Sequence, residues 1–349
     1  GVGTWPALWA LLLLISVTGT LLVFKDDYLR ATLPEARGGV QGSSELWLSA
    51  INLAEERFGK ESLRVLVFAS DDLGVHKAYL TDGRSAYMSA SGEVVARWRD
   101  NDRFEDWLFD LHHRLLLGDL GLVVAGLAGL AGSLLVLTGL YAVWPMRLGL
   151  RRGLKIAQPT RQQLRSLHRN LGAWIAMPAL LLMLSGAALS FPAESRALFD
   201  RIGSPVPEPE TVEGPGYTDW PAGLAGASLA FPDAMPRMAI WPRDGAPAMV
   251  RLKQPAEWHP NGRTYFTFSD AGAAAQDATR LGAGREAYNA LYPLHAGKTG
   301  SVVYKWMTAL FGLCLSLLAF LGLMSFAKRF SRPSLPRPVW VRPAHDPDL

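Results

Sequence analysis

Four long stretches of this chain carry no charged residue: Val2–Phe24, Leu120–Met146, Asn170–Ala193 and Trp306–Ala327. Each is at or above the roughly 20 residues that a helix needs to cross a hydrocarbon core of about 30 Å. Backbone in lipid must satisfy its own hydrogen bonds, so such runs fold as helices or in closed barrels, and runs of this length and composition read as helices. They explain why only 19% of the 349 residues are charged while 49% are hydrophobic; a soluble domain carries about 25% charge. The same arithmetic excludes an ordinary soluble enzyme, a disordered chain and a nucleic-acid-binding domain, and makes the lipid membrane the first expected partner. The lone cysteine, Cys314, lies inside the fourth run, which leaves no disulfide framework or cysteine-based metal site within the chain.

Charge placement sets the expected orientation. The segment 147–169 holds Arg147, Arg151, Arg152, Lys155, Arg161, Arg165 and Arg169 without one acid, and the tail adds Lys328, Arg329, Arg332, Arg337 and Arg342. The positive-inside rule then puts both termini in the cytoplasm of a bacterial inner membrane, with two domains in the periplasm. The first run lacks a basic leader and ends in Val23–Phe24–Lys25–Asp26 without a small-residue cleavage site, so a retained anchor is preferred to a signal peptide. The expected layout is a mainly α membrane protein. Transmembrane helix 1 covers 1–24, an α+β periplasmic domain 25–111, helix 2 112–146 and a basic cytoplasmic loop 147–167. Helix 3 covers 168–193, a second periplasmic domain 194–294, helix 4 295–327 and a cytoplasmic tail 328–349.

No broken helix is expected among these spans. In the first domain Ser44–Phe58 reads as an amphipathic helix. Strand-like runs follow at Leu63–Ala69, Val75–Leu80, Ser85–Ser89 and Val94–Trp98. In the second, a Pro- and Glu-rich linker at Pro205–Pro215 precedes strands at Met238–Trp241, Ala248–Leu252 and Arg263–Phe268.

An internal repeat organises the histidines. His112 precedes Gly139 by 27 residues and His295 precedes Gly322 by the same 27, each histidine following a leucine. Thr18–Gly19–Thr20–Leu21–Leu22–Val23–Phe24 aligns with Ser185–Gly186–Ala187–Ala188–Leu189–Ser190–Phe191. The chain therefore reads as two copies of span, periplasmic domain, span. His168 then falls opposite Gly1, within a residue or two, and a partner histidine is expected upstream of that position. Ionisable side chains at membrane depth are costly and need a reason. One reason is axial ligation of haem b, since neutral imidazoles on facing helices can clamp one porphyrin. His112 and His295 would serve the periplasmic side, and His168 with the upstream partner the cytoplasmic side. The plainer alternative is interfacial histidines touching lipid headgroups, which the repeated spacing makes less attractive. His113 lies about 100° round the helix from His112, so it is a neighbour or an alternative ligand. In the second span Gly118, Gly121, Gly126, Gly129 and Gly132 suit either a flat macrocycle or close helix packing.

Leu111–His112–His113–Arg114–Leu115–Leu116–Leu117–Gly118 resembles the LHxxLLLG signature of PepSY-associated transmembrane proteins. Leu167–His168–Arg169–Asn170–Leu171–Gly172 is similar to that family's LHRxLG, Leu294–His295–Ala296–Gly297 to its LHxG, and His259–Pro260–Asn261–Gly262–Arg263 to its HPxGR. The resemblance spans nearly the whole chain and implies PepSY-like periplasmic domains. It also implies reduction of ferric siderophores, hydroxamates above all, by a haem-dependent b-type cytochrome. Two haems b are expected, or one if no upstream histidine exists, with electrons from a quinol or a cytoplasmic flavoprotein. Trp258, His259, Arg263, Tyr265, Arg285 and Tyr292 are the residues expected to line the siderophore. The competing reading is a PepSY-type periplasmic binding or inhibitory module whose spans are anchors only. A transporter is a third, disfavoured by unbroken spans without acids.

Overall fold

A computed structural model of the chain describes residues 4–39, 44–144, 161–203, 206–212 and 219–330. Most of the basic loop, Met146 and the tail beyond 330 lie outside the described residues, as does part of the Pro205–Pro215 linker.

The first copy of the repeat runs through α1 (Thr4–Leu22), α2 (Lys25–Thr32), α3 (Ser44–Phe58), β1 (Leu63–Val67), β2 (His76–Leu80), β3 (Arg84–Met88), β4 (Val94–Arg99), α4 (Phe104–Arg114) and α5 (Gly118–Val143). The second runs through α6 (Arg161–Trp174), α7 (Ala176–Ser190), α8 (Pro192–Ile202), β5 (Glu210–Val212), α9 (Trp220–Ala230), β6 (Met235–Ile240), β7 (Ala248–Lys253), β8 (Thr264–Ser269), β9 (Gly272–Gln276), α10 (Ala283–Ala296) and α11 (Val302–Phe330). Helix, helix, helix, four-strand meander, helix, span: the order repeats with two additions in the second copy, β5 and a first span in two pieces, α6 and α7, where the first copy has α1.

Among the described residues two helices, Gly118–Val143 and Val302–Ala327, are long and apolar enough to cross a membrane. The count rises to four if each of two bent pairs is one span. The bends correct the expectation of unbroken helices. Gln162–Trp174 and Ala176–Ser190 meet at 73°, Pro6–Leu22 and Lys25–Thr32 at 54°. The cause of the first is in the sequence. Pro178 has no N–H to give the carbonyl of Trp174, and its ring crowds that carbonyl, so the helix stops there and restarts. At the second, the apolar run meets Lys25–Asp26–Asp27, whose two acids favour the start of a new helix.

The histidine-bearing helices are also separate from the spans they precede. The second span was expected from residue 112 and the fourth from 295, but α5 begins at Gly118 and α11 at Val302. Leu115, Leu116 and Gly118 all take positive φ (52°, 58° and 60°), a left-handed turn that redirects the chain. α5 then passes so close that a Cβ on Gly121 would meet the Arg114 carbonyl oxygen at 1.6 Å. In the second copy Gly297 (φ 69°) caps α10 and turns the chain in the same place.

Strand pairing joins what was expected as two domains. All nine strands form one antiparallel sheet in the order β4-β3-β2-β1-β6-β7-β8-β9-β5. The two meanders meet where β1 pairs β6, with Leu66 opposite Ala239. One face is covered by α3 and α9, whose Ile51, Ala54, Leu224 and Ala227 pack on Leu66, Ala78, Val250 and Phe266. A fully buried side chain such as Phe266 contributes about 1.5–3 kcal/mol relative to exposure. Glu55 on α3 ties the halves, accepting from the indoles of Trp220 (3.2 Å) and Trp241 (2.8 Å). The opposite face receives Leu29, Leu33 and Ala36, from α2 and the turn after it, against Val75, Tyr87 and Trp98.

His76 is structural. Its Nδ1 accepts the Ala69 N–H at 3.0 Å inside the sheet domain, and burial pushes its pKa from 6.5 to about 4. Because the folded value lies below the unfolded one, the unfolded chain binds more protons between those pH values. Stability is therefore full above pH 6.5 and falls as pH drops toward 4, by about 2 kcal/mol at pH 5. Thermal unfolding of His76→Asn, whose Oδ1 can accept the same N–H but does not titrate, should show a flatter pH dependence between 7 and 5. An unchanged slope would clear His76 of the effect.

Candidate functional site

His112 and His295 occupy equivalent places at the ends of α4 and α10, each leaning onto the first membrane helix of its own copy. His112 Nδ1 lies 3.0 Å from the Ile15 carbonyl and 3.1 Å from Thr18 Oγ1. His295 Nδ1 lies 3.0 Å from the Leu182 carbonyl and 3.0 Å from Ser185 Oγ. Both hydroxyls spend their protons on carbonyls one turn back, Thr18 on Leu14 (2.8 Å) and Ser185 on Leu181 (2.6 Å). A carbonyl can only accept, so each Nδ1 carries the ring proton and each Nε2 keeps its lone pair.

The rings lie over glycines. A Cβ on Gly19 would stand 2.7 Å from His112 Cε1, and one on Gly186 2.8 Å from His295 Cε1. The two imidazoles face each other with ring centroids 6.1 Å apart at an interplanar angle of 38°. That is about the separation of two rings sharing one metal, given metal–nitrogen bonds of about 2 Å on either side. They open into a cavity that, with its mouth, holds about 1370 Å³ of space no atom fills. Its walls are the repeat written twice: Gly19 with Gly186, Leu22 with Leu189, Phe109 with Tyr292, and Gly129 with Gly312. The lining is mostly apolar, with Lys25 and Lys298 its only charged members.

Among the described residues no three histidine, cysteine or acidic side chains could converge on one ion. A bare metal centre therefore does not fit. Two opposed neutral imidazoles on an apolar, two-fold-like cavity do fit a flat metal macrocycle that brings its own equatorial ligands.

The other expected residues fall differently. His113 lines the same cavity but stacks on Phe109 at 4.0 Å, with Nδ1 3.3 Å from the Phe109 carbonyl. Ala296 holds the matching position in the second copy, so His113 has no mate. His168 sits apart on α6, its Nδ1 3.1 Å from the Leu318 carbonyl and its ring edge-on to Trp9 at 5.6 Å. The upstream partner expected for it lies outside the described residues. The glycines of α5 divide between roles: Gly126 and Gly132 admit Phe191 and Met183, which is helix packing, while Gly129 also lines the cavity.

Of the six residues expected around a siderophore, only Tyr292 lines this cavity. His259 touches it indirectly, stacking on Tyr292 at 5.0 Å. Its Nδ1 accepts the Asn261 N–H at 3.1 Å, and burial with Arg263 and Arg251 nearby pushes its pKa to about 2, so it is no proton donor at neutral pH. Arg251 clasps the same turn, giving Nη2–H to the Gly262 carbonyl at 2.6 Å. The HPxGR stretch is thus a folded turn. Arg263 gives its backbone N–H to Glu257, and Tyr265 lies under the Arg251 guanidinium at 5.7 Å. Arg285 is spent on Asp200, with Nε 3.0 Å from the carboxylate, clamping α10 to α8. Trp258 is 60% exposed. Sequence reasoning missed Thr18, Ser185, Gly19 and Gly186 as parts of the site, although their alignment was visible.

Fold and site together define a two-copy membrane protein. Its copies share one extramembrane sheet and set a histidine each against a common cavity. A scan of family models matches the PepSY-associated TM region over residues 7–329, and the chain belongs to that family. A search of curated proteins found no match.

Proposed function

We propose that the protein is a b-type haem cytochrome of a bacterial inner membrane that reduces ferric siderophores on the periplasmic side. The observation that carries this reading is the mirrored pair His112 and His295, each with Nδ1 held by a backbone carbonyl and Nε2 turned to a shared apolar cavity. Haem, when bound, supplies one-electron redox chemistry. The protein's residues do the rest. Ile15, Thr18, Leu182 and Ser185 fix the tautomer and angle of the two ligands, and their hydrogen bonds raise ligand basicity. Leu22, Leu189 and the surrounding apolar side chains exclude water.

On this reading the basic segments face the cytoplasm and the sheet lies in the periplasm, as the positive-inside rule expects. There Tyr292 and His113 stand in the cavity wall next to the sheet. Each ferric ion takes one electron, and a quinol or flavoprotein donor on the opposite face is oxidised by one electron. Hydroxamate oxygens hold the hard ferric ion far more tightly than the ferrous ion, so reduction releases the metal and spares the chelator. A second haem at His168 requires a ligand from outside the described residues.

The test is an absorption spectrum of the detergent-purified protein, oxidised and dithionite-reduced, with a pyridine haemochrome count. A sharp reduced band at about 560 nm is the expected sign of low-spin bis-imidazole ligation. About one haem per chain assigns the His112/His295 cavity alone; about two adds His168. A protein that stays colourless after haem is supplied overturns the reading and leaves an anchored PepSY-type binding module.

A further inference from the structure

The cavity between His112 and His295 has one charge without an ion-pair partner among the described residues. Lys298 gives its ammonium to Asp26 at 2.7 Å. Lys25, at the start of α2, is directed toward the Phe109 ring, its Nζ 5.5 Å from the centroid, and both side chains line the cavity. No carboxylate lies within ion-pair distance of Lys25 among the described residues. Nearby Asp106 is taken by Lys77 at 3.1 Å and by the Trp98 indole at 2.6 Å, and Asp27 by Arg30 and Lys305. An ammonium on an otherwise apolar wall is costly unless something anionic pairs with it. The ligand of this cavity should therefore be amphipathic, with an apolar body between the histidines and an acid at the rim where α1 gives way to α2.

We infer that Lys25 anchors a carboxylate of the group held between His112 and His295, which on the haem reading proposed above is a propionate. Lys25 is then a positioning residue. It fixes the rotation of the macrocycle in its plane, a choice that a two-fold-like cavity with apolar walls leaves open. It also breaks the symmetry of the site, because the matching position in the second copy is Pro192.

The experiment measures the rate of haem transfer to excess apomyoglobin and the midpoint potential, in the full-length protein. Lys25→Met should keep the position of the reduced band, since both imidazoles remain, but release haem at least about tenfold faster, as loss of a partly buried ion pair predicts. Its potential should move down, because a nearby positive charge favours the reduced state. Lys25→Arg should stay within about twofold of the parent. Wild-type protein loaded with the dimethyl ester of haem keeps the chain intact and should release it as fast as Lys25→Met releases haem, with a potential that moves up instead of down because the carboxylate charge is lost while the ammonium stays. Lys25→Met should no longer distinguish ester from free acid in release rate. Equal release rates for acid and ester in the wild type would overturn the assignment with the haem reading standing. Failure of wild-type protein to bind haem at all would remove both.

Discussion

Replacing His112 or His295 by alanine is expected to abolish the reduced low-spin band of the cavity, each substitution alone sufficing. The size of the effect follows from the coordination. On the haem reading one imidazole would leave the iron a ligand short, with the spectrum of a different spin state, and the second ligand would supply much of the retention. The site offers no substitute at the right place. His113 has its ring committed to the Phe109 face at 4.0 Å, and its centroid is 5.5 Å from that of His112 on the same helix. His113→Ala should therefore leave the band in place, which makes it the control for general damage to α4. His168→Ala should leave this band untouched as well, since His168 bonds to Leu318 on α11 and shares no partner with His112 or His295. A band that survives His112→Ala and His295→Ala together would reject the ligand pair and with it the route of electrons through this cavity.

What could be read from the chain alone is tied to covalent spacing. The equal distance from each histidine to a downstream glycine, and the alignment of Thr18–Gly19 with Ser185–Gly186, are statements about two copies of one unit. The structure shows those copies meeting at a common cavity. Length and polarity gave the apolar helices, and period-two patterns the strands of the first meander. Contacts between copies carry no such signal. β1 and β6 pair through backbone groups, and nothing in Leu66 or Ala239 announces the other. α9 was not expected, because the proline and two glycines of Trp-Pro-Ala-Gly-Leu-Ala-Gly make a weak helix signal; it is started by Asp219, whose side chain accepts the Ala222 N–H at 2.9 Å, and held by its apolar face on the sheet. β9, Gly-Ala-Ala-Ala-Gln, has poor strand propensity and exists because β8 pairs with it. The left-handed Leu115 and Leu116 are a tertiary demand that leucine does not encode. The break before α7 is different: Pro178 was in plain view and specifies it.

The same reasoning separates residues that look functional from those that the fold already engages. Arg285, Arg263 and Tyr265 combine charge or aromaticity with a place near the membrane, the pattern that suggests a binding surface. Arg285 is instead engaged by Asp200 and Tyr265 by Arg251, while Arg263 gives its backbone N–H to Glu257 and keeps a buried Nε that no hydrogen bond satisfies among the described residues. Gly19 and Gly186 carry no chemistry of their own, yet they decide whether the histidines can reach their places.

Gly19→Val and Gly186→Val should each cost most of the haem, at least about tenfold in occupancy under limiting supply, while both ligands remain in the sequence. A Cβ at either position would lie 2.7 or 2.8 Å from the Cε1 of its imidazole, closer than real carbon atoms approach. The ring cannot step aside cheaply. Its Nδ1 is bonded to the carbonyl four residues before the glycine and to the hydroxyl just before it, so moving Cε1 away strains both bonds and shifts the ring from its place in the cavity wall. Valine adds little cost to the helix itself, since its propensity is within about 1 kcal/mol of glycine's. The expected result is a folded protein of near-normal thermal stability with a weak or high-spin haem spectrum, and the two variants should resemble each other because the copies do. Full low-spin occupancy in Gly186→Val would mean that His295 binds from another rotamer, and the mirrored geometry would then not be the one that holds the cofactor.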